Sequence, residues 1–315
     1  MPEVAVIGAG AVGVACAAAV LQTGVAERLV LYDRNADRAR GEALDFEHGS
    51  CLLPASRIEG RPLTEPAPAD LAILAAGARP RPGASRMEVL DENLEAAATV
   101  ADAFEDALPR VMIVVTNPVD PITEYLIRRF RGRGENEGSR APRARRIGLF
   151  GSGTALDSWR LRECLAARLS VHPLNVHAWA IGEHGLSMVL PYSCVRVGPF
   201  TLDQMAERHG TRLDLDEVDR YVRHAGPRVH ELKGSTTSAI ALVAARLAVH
   251  VLREHDYLIP VSVPVEDGLC ASLPARLGPA GAGEPLMPDL SGDEHEAWEA
   301  SLASLREAAS RIPAV

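Results

Sequence analysis

The sequence predicts an α/β fold in which an N-terminal, doubly wound parallel sheet is followed by a C-terminal α+β domain. In the first half, short apolar runs alternate with amphipathic helical stretches, which is typical of a parallel sheet covered by helices on both faces. In the second half, helices mix with hairpin-like strands. At 315 residues the chain is long enough for two lobes, which we expect to span residues 1–150 and 151–315.

The predicted strands of the first half are continuous apolar or β-branched runs, as expected for strands that are buried on both faces. They lie at residues 4–7, 29–32, 71–75, 111–116 and 147–150. The helices between them are expected at residues 12–23, 37–48, 87–107 and 122–130. A basic, Gly-containing insertion at about residues 131–146 separates the last helix from the last strand. We interpret it as a solvated surface segment, and a phosphorylated or nucleic-acid partner is the weaker alternative.

The second half predicts fewer and more varied elements. A helix is expected at residues 156–169, followed by strand-like stretches at about 176–181 and 188–197. Two further helices follow, one ending near Lys233 and one at residues 239–254. A strand is then expected at residues 258–263 and a last helix at 293–312.

Composition excludes several classes of function. With 33 basic and 42 acidic residues the formal net charge is −9, so the chain has no overall basic field to hold nucleic acid or an anionic membrane. No apolar run approaches the length of a membrane span. The five cysteines are far apart and form no C-x-x-C pair, which is typical of reduced thiols. We therefore expect a cytoplasmic protein with no membrane, nucleic-acid or metal partner.

A Gly-rich turn opens the first helix and predicts a Rossmann-type dinucleotide site. Gly8, Gly10 and Gly13 form G-x-G-x-x-G directly after the first strand, where they allow a tight turn, a close approach of pyrophosphate and close packing of helix on strand. Asp33 ends the second strand, where a carboxylate accepts hydrogen bonds from an adenosine ribose and repels a 2′-phosphate. NAD is therefore favoured over NADP, although the neighbouring Arg34 leaves a phosphate contact open.

Further polar motifs follow later strands, where the ligands of open α/β sheets bind. A basic loop with two glycines and two prolines, residues 76–86, follows one strand, and Asn117 follows the next. Asp157 and Arg160 share one helix face, and His184 lies in a G-E-H-G turn. None of these motifs establishes a function by itself.

Their order and spacing resemble those of the L-lactate and malate dehydrogenase family from the first strand to the last helix. The matching stretches are GAGAVG, Asp33, GEALDFEHG, AGARPRPGASR, TNPVD, GSGTALDSWRLR, IGEHG, KGST and SLPARLG. The resemblance implies an NAD-dependent oxidoreductase that acts on a small 2-hydroxy acid or 2-oxo acid as a homodimer or homotetramer.

The resemblance also implies roles for individual residues. His184 would exchange the proton, Asp157 would orient the imidazole, and Arg86 would polarise the substrate carbonyl. Arg160 would pair with the substrate carboxylate through two hydrogen bonds. The remaining substrate positions are Asn117, Thr236 and Pro80. The cofactor positions are Gly8, Gly10, Val12, Gly13, Asp33, Ala76, Gly77 and Asn117.

Pro80 departs from the family at the position that reads the substrate side chain, where lactate-type members commonly carry Gln and malate-type members Arg. Glu183 before the histidine favours the lactate type, but Arg79 or Arg81 leaves a dicarboxylate substrate open. The alternative of another class is a non-catalytic NAD-binding or NAD-sensing protein. Arg162 and His177 match positions where some bacterial lactate dehydrogenases bind a phosphorylated activator, and a structural role for both is equally open.

Overall fold

The computed structural model describes residues 2–54, 56–78, 86–131, 147–253, 256–266 and 268–314, and leaves the side chains of residues 86–88 and 131 undescribed. Within these residues the strands are β1 (Glu3–Ile7), β2 (Arg28–Asp33), β3 (Arg57–Pro62), β4 (Leu71–Leu74), β5 (Val111–Val114), β6 (Gly148–Gly151), β7 (Val176–His177), β8 (Arg196–Val197), β9 (Phe200–Thr201), β10 (Tyr257–Glu266), β11 (Leu269–Gly278) and β12 (Gly281–Pro285). The α-helices are α1 (Ala11–Thr23), α2 (Ala36–His48), α3 (Arg86–Ala103), α4 (Val119–Arg131), α5 (Ala155–Leu169), α6 (Leu202–Arg208), α7 (Leu215–Lys233), α8 (Ser238–Leu252) and α9 (Gly292–Ala309).

Six parallel strands form the first part of the main sheet in the order β3-β2-β1-β4-β5-β6. This order is that of a doubly wound dinucleotide-binding fold, so the predicted fold class is confirmed. Along the chain, β2 and β3 are added on one side of β1, whereas β4, β5 and β6 are added on the other side. The carboxyl ends of β1 and β4 therefore border the crevice where such folds bind ligands.

Alternate residues of the buried strands serve two hydrophobic cores on opposite faces of the sheet. Val4 and Val6 of β1 pack into the core that contains residues of α1 and α8. Ala5 and Ile7 of the same strand pack into the core that contains residues of α3 and α4. Burial on both faces explains why these strands are continuous apolar runs in the sequence.

The main sheet continues beyond residue 150. β10 lies antiparallel to β6, with Ser262 opposite Gly151, and β11 and β12 extend the sheet from there. A small second sheet, β7-β8-β9, packs with α5, α6 and α7 around a third core. The residues on either side of the predicted domain boundary therefore share one sheet, and the division into two domains stays a prediction.

Several observed elements were not predicted, and their sequences explain why. β3 is rich in charged residues and ends in Pro62, so it lacks the apolar pattern of a strand. β11 contains Pro274, which lies opposite Pro260 of β10, and proline disfavours a strand prediction. The stretch at 188–197 was predicted as one strand, but it contributes a bridge between Ile181 and Val189 and the short strand β8, because a 3-10 turn at Tyr192–Cys194 follows Pro191 and interrupts it.

Among the described residues, no helix is both long enough and apolar enough to cross a membrane.

Candidate active site

The Gly-rich turn between β1 and α1 has the backbone that an anion site requires. Gly8 has a φ of 103°, a conformation that L side chains rarely adopt. A Cβ on Gly13 would lie 1.8 Å from the carbonyl oxygen of Gly8, so only glycine lets helix and strand pack this closely. Gly10 caps α1 without a side-chain hydrogen bond, and a Cβ there would meet no atom within 4 Å. The first N–H groups of α1 are therefore open to a phosphate group.

Asp33, at the end of β2, is fastened to this turn. Its Oδ2 accepts a hydrogen bond from Ala9 N at 2.8 Å, and its Oδ1 accepts one from Asn35 N at 2.9 Å. The carboxylate is thus held beside the first N–H groups of the turn. Val12 is half-buried on α1. Arg34, which follows Asp33 in the sequence, is exposed.

The carboxyl ends of β4 and β5 are joined by a residue that sequence reasoning missed. Asn93 of α3 is buried; its Oδ1 accepts from Ala78 N at 2.6 Å, and its Nδ2 donates to Asn117 O at 2.5 Å. A Cβ on Gly77 would lie 2.8 Å from the same Oδ1. Asn93 thus holds the main chain after both strands, with the exposed side chain of Asn117 at the sheet edge.

A second hydrogen bond holds the main chain directly after β4. Thr116 Oγ1 donates to Ala76 O at 2.7 Å, so the main chain after β4 is bonded directly to the end of β5. The residues that follow, including Arg79, Pro80 and Arg81, lie outside the described residues. Arg86 is the first residue of α3, and its side chain is likewise undescribed.

His184, Asp157 and Arg160 form a hydrogen-bonded chain in the second half. His184 Nδ1 lies 2.7 Å from Asp157 Oδ2, and Arg160 Nη1 donates to Asp157 Oδ1 at 2.7 Å. The side chain of Asp157 is fully buried, whereas those of His184 and Arg160 are 25% and 16% exposed. Both partners of the buried carboxylate therefore reach towards solvent.

This arrangement shifts two proton affinities. Burial by itself raises the pKa of Asp157, but the charges and hydrogen bonds of His184 and Arg160 outweigh it, so the pKa lies below its usual value. For His184, burial lowers the pKa, while the charge and hydrogen bond of Asp157 raise it, and the net pKa lies above its usual value. The pair therefore favours an ionised carboxylate beside a protonated imidazole.

The turn that carries His184, residues 182–185, is held directly by β11 and α9. Gly182 pairs with Ser272 of β11 through two main-chain hydrogen bonds of 2.9 Å, and Ser272 Oγ also accepts from Thr154 N at 3.0 Å beside α5. Glu183 N donates to Ser301 Oγ of α9 at 2.8 Å. Thus Ser272 ties the turn to the start of the helix that carries Asp157.

A second buried carboxylate holds the histidine's main chain. His184 N donates to Asp120 Oδ2 at 2.9 Å, and Asp120, near the start of α4, is 1% exposed. Sequence reasoning assigned no role to Asp120. Its place directly after Asn117-Pro118-Val119 in TNPVD is the only signal that pointed to it.

Thr236 is half-buried in the short link between α7 and α8. α5, the helix that carries Arg160, packs against both of these helices. Among the described residues, no group of three or more His, Cys, Asp or Glu side chains is arranged to hold a metal ion.

Arg162 lies inside the protein. Its guanidinium stacks 4.9 Å from the ring centroid of Trp159 and 4.6 Å from that of Trp179, and its Nε donates to Ala178 O at 2.9 Å. Arg162 is 5% exposed, whereas His177 is exposed on β7. These contacts join α5 to the segment that leads into the turn with His184.

Together these features give the chain a Gly-rich turn with open N–H groups, two joined strand ends and a histidine bonded to a buried carboxylate that also pairs with a guanidinium. Two family models together match nearly the whole chain. The family model described as the NAD-binding domain of lactate/malate dehydrogenase matches residues 2–137, and that of the α/β C-terminal domain matches residues 154–314.

Individual relatives agree with the family models. The L-lactate dehydrogenase of Treponema denticola is 34% identical over 97% of this chain and 96% of its own length. That of Fervidobacterium nodosum is 32% identical, with 98% of each chain covered. Among solved structures, a lactate dehydrogenase from a Medee basin deep-sea metagenome library and a minor L-lactate dehydrogenase from Enterococcus mundtii each superpose with a TM-score of 0.85 at 26% identity. Each comparison covers 99% of this chain and 98% of the other.

Proposed function

Because the chain belongs to the lactate/malate dehydrogenase family and is an NAD-dependent hydroxyacid dehydrogenase, we propose that it is a lactate-type enzyme for a small L-2-hydroxy acid, with His184, Asp157 and Arg160 as its chemical centre. The observation that carries the proposal is the hydrogen-bonded chain from His184 through Asp157 to Arg160. It supplies a proton donor and a carboxylate-binding cation side by side.

The described residues fit NAD. The uncapped start of α1 and the space at Gly10 would receive the pyrophosphate, while Asp33 would accept hydrogen bonds from the adenosine ribose. Ala76 and Gly77 after β4 and Asn117 after β5 border the same crevice, so they are proposed to face the nicotinamide end. When bound, the reduced cofactor supplies the hydride for the carbonyl carbon.

His184 supplies the proton. Asp157 binds Nδ1, which leaves Nε2 as the ring nitrogen that gives its proton to the carbonyl oxygen as the carbonyl carbon is reduced. The products are the hydroxy acid and a neutral imidazole. In the oxidative direction the same nitrogen takes the hydroxyl proton, and Asp157 stabilises the imidazolium that results. Arg86, at the start of α3, is proposed to polarise the carbonyl oxygen.

Arg160 would hold the substrate carboxylate. One of its nitrogens, Nη1, is bonded to Asp157, and the partly exposed remainder of the planar group still offers two parallel N–H donors. A lysine at this position would supply a charge but not the paired donors. Thr236, in the link between α7 and α8, is proposed to line the pocket for the rest of the substrate.

The substrate side chain is the unusual part of the proposal. Pro80 supplies neither the amide of lactate-type relatives nor the charge of malate-type relatives, so we propose a pocket that tolerates varied 2-oxo acids. The similar proteins named above are lactate dehydrogenases, which does not favour a dicarboxylate read by Arg79 or Arg81, nor a non-catalytic NAD-binding protein.

The test measures the rate at which NADH reduces each member of a panel of 2-oxo acids. The rate is read as the loss of NADH absorbance. The panel includes pyruvate, oxaloacetate and branched, aromatic and longer dicarboxylic acids, and is run on the wild type, Pro80→Gln and Pro80→Arg. We expect Gln to shift kcat/KM towards pyruvate and Arg towards oxaloacetate. A strong preference of the wild type for pyruvate or oxaloacetate would contradict the role proposed for Pro80. The absence of turnover with every acid would contradict the proposed dehydrogenase activity.

The proposal also includes an oligomeric state and a cellular location. The family resemblance favours a homodimer or homotetramer, which light scattering coupled to gel filtration measures directly. Cys16, Cys51, Cys164 and Cys194 are free thiols, which favours the reducing cytoplasm.

A further inference from the structure

Arg162 is a buried cation that the proposed chemistry does not use. It lies on α5 and is 5% exposed. Its Cζ lies 4.9 Å from the ring centroid of Trp159 and 4.6 Å from that of Trp179, and its Nε donates to Ala178 O at 2.9 Å. We call the three side chains of Trp159, Arg162 and Trp179 the indole clamp.

Aromatic rings compensate the charge inside the indole clamp. The arginines of α5 that form ion pairs within the described residues are Arg160 and Arg168. Burial of a cation is costly unless its charge is compensated, and the negative face of an indole ring attracts a guanidinium. The planar guanidinium packs against aromatic rings, whereas the ammonium of a lysine has no such plane. The indole clamp therefore requires an arginine and not only a positive charge.

The two indole rings are anchored in different parts of the molecule. Trp159, which shares α5 with Arg162, packs against the core that contains residues of α1 and α8. Trp179, which follows β7, packs against the core that contains residues of β11 and α9. Because each ring is held by its own core, Arg162 contacts two fixed surfaces.

Arg162 also belongs to a row of residues on α5 that is hydrogen-bonded to the segment before His184. Thr154, Ser158 and Arg162 recur at every fourth position, so they lie along one side of the helix. Ala180 accepts from Thr154 Oγ1 through its carbonyl oxygen and donates through its N–H to Ser158 Oγ at 2.8 Å. The carbonyl oxygen of Ala178 accepts from Arg162 Nε. α5 and residues 178–180 are therefore fixed to each other over about two turns of helix.

The two elements joined by this row carry the two partners of the contact between His184 and Asp157. Asp157 lies on α5, and residues 178–180 lead into the turn with His184. The contact itself, from His184 Nδ1 to Asp157 Oδ2, measures 2.7 Å. Charge-assisted hydrogen bonds of this kind are short, and a misplacement of about 1 Å can cost a factor of about a hundred in rate. A shift of α5 along the segment would therefore disturb the orientation of the proton donor.

We propose that Arg162 is a positioning residue, which the two indole rings hold so that it fixes α5 against the segment leading to His184. It acts through Asp157 and does not touch the substrate. The inference rests on the proposed function, because the distance between Asp157 and His184 matters to the rate only if His184 exchanges the proton. Since Arg162 is buried and engaged in these contacts, we expect it not to serve as a ligand for a phosphorylated activator.

The test is a set of substitutions that separates charge, aromatic contact and apolar packing. Arg162→Lys keeps the charge, Trp179→Leu keeps an apolar side chain, and Trp179→Phe keeps an aromatic face. Arg162→Lys and Trp179→Leu should lower kcat for reduction of a 2-oxo acid by about tenfold to a hundredfold, whereas Trp179→Phe should keep most of the wild-type kcat. The Kd for NADH should stay close to that of the wild type in all three variants, since the indole clamp includes none of the proposed cofactor positions.

Tryptophan fluorescence reports on the indole clamp independently of turnover. The chain has three tryptophans, and the third, Trp298, is buried on α9 outside the clamp. In Arg162→Lys the rings lose the packed guanidinium, so the emission maximum should move to longer wavelength as water reaches them. An emission spectrum identical to that of the wild type would contradict the clamp.

Arg168→Met is the matched control, since Arg168 is another arginine of α5 and pairs with Glu217. It should keep the wild-type kcat and emission. Wild-type kcat in either Arg162→Lys or Trp179→Leu would overturn the inference, and a lower melting temperature with unchanged kcat would show a purely structural role. If circular dichroism shows that Arg162→Lys does not fold, the difference in kcat between Trp179→Leu and Trp179→Phe decides the question.

Inorganic phosphate is the probe for the alternative role of Arg162 as an anion ligand. It should leave the wild-type rate unchanged. Activation by phosphate that Arg162→Lys abolishes would identify Arg162 as an anion ligand and overturn the inference. Failure of the wild type to reduce any 2-oxo acid would instead overturn the proposed function, and the fluorescence comparison would still test the clamp.

Discussion

Asp157 bonds two cationic groups at once, and this shared contact is the main feature of the site at the scale of single residues. One oxygen faces His184 and the other faces Arg160, and the carboxylate itself is fully buried. Removal of either partner of a buried anion is destabilising, because its charge is then less well compensated. The side chain of Asp157 therefore fixes the positions of both the proposed proton donor, His184, and the proposed substrate anchor, Arg160.

Replacement of His184 by Gln should separate chemistry from binding. Glutamine is polar and of similar size but cannot deliver a proton, so we expect kcat to fall by about two to four orders of magnitude. The affinity for NADH, measured by fluorescence titration, should stay close to that of the wild type because His184 is not among the proposed cofactor contacts. Turnover near the wild-type value would mean that another group is the proton donor.

Asp157→Asn should displace the pH dependence of reduction. The pKa of His184 is raised by Asp157, so the protonated form that reduction needs persists to higher pH in the wild type. Without that charge the pKa falls, and kcat/KM for reduction should decline from a lower pH onwards. A pH series of initial rates measures it. Asp91→Asn removes a surface acid paired with Arg311 and should leave the midpoint unchanged; a common midpoint for all three proteins would refute the coupling.

At the scale of elements, the end of β2 and the start of α1 act together. Asp33 bonds Ala9 N of the Gly-rich turn, so one carboxylate both holds the turn and faces the proposed ribose site. Asp33→Ser should weaken NAD binding and narrow its advantage over NADP, because the ribose contact and the repulsion of a 2′-phosphate are both lost.

The control for this change is Asp37→Ser, in the exposed first turn of α2. Calorimetric titration with NAD and NADP compares the three proteins. A wild type that prefers NADP would contradict the assignment and would implicate Arg34 as a phosphate ligand.

α3 acts on the opposite side of the crevice through Asn93. Asn93→Ala leaves Ala78 N and Asn117 O without this partner, and an unsatisfied buried group costs about 1–3 kcal/mol. We expect a lower melting temperature and a higher KM, since Asn117 and the main chain at Ala78 lose the side chain that hydrogen-bonds both. Thr99→Ala, at an exposed position of the same helix, is the control and should change neither quantity appreciably. Wild-type KM in Asn93→Ala would show that the tie is not needed for the site.

At the scale of the whole molecule, the contact of β6 with β10 joins the two halves of the sequence. A Cβ on Gly151 would lie 2.5 Å from Thr123 Oγ1, 2.8 Å from Val119 Cγ2 and 2.9 Å from Ser262 Cβ. Gly151→Ala should therefore overpack the joint and lower the free energy of unfolding by about 1–3 kcal/mol.

Calorimetry tests this joint. Gly278→Ala, where a Cβ would meet nothing within 4 Å, should leave the melting temperature nearly unchanged. Because the sheet is continuous, the wild type should also unfold in a single transition. An unaltered melting temperature in Gly151→Ala would mean that the joint has room to adjust.

The sequence alone determined the features whose physics is local. Gly8 and Gly13 are needed by a tight turn and a close approach within a few residues, and alternating burial makes the first strands continuous apolar runs. These requirements are written in adjacent positions, so the doubly wound fold and the cofactor turn were predictable. The resemblance of the ordered motifs to the family singled out His184, Asp157 and Arg160, and the roles of these residues stay predictions.

How those residues are held and charged depends on contacts that form when the chain folds. Asp157 and Asp120 meet His184 from 27 and 64 positions away, and Asn93 joins two strand ends that are separate in the sequence. Arg162 is enclosed by two indole rings, and the proline-containing strand β11 is stabilised by its pairing with β10. Burial and proton affinity depend on neighbours that the folded chain brings together, and no local pattern of residues encodes which neighbours those are.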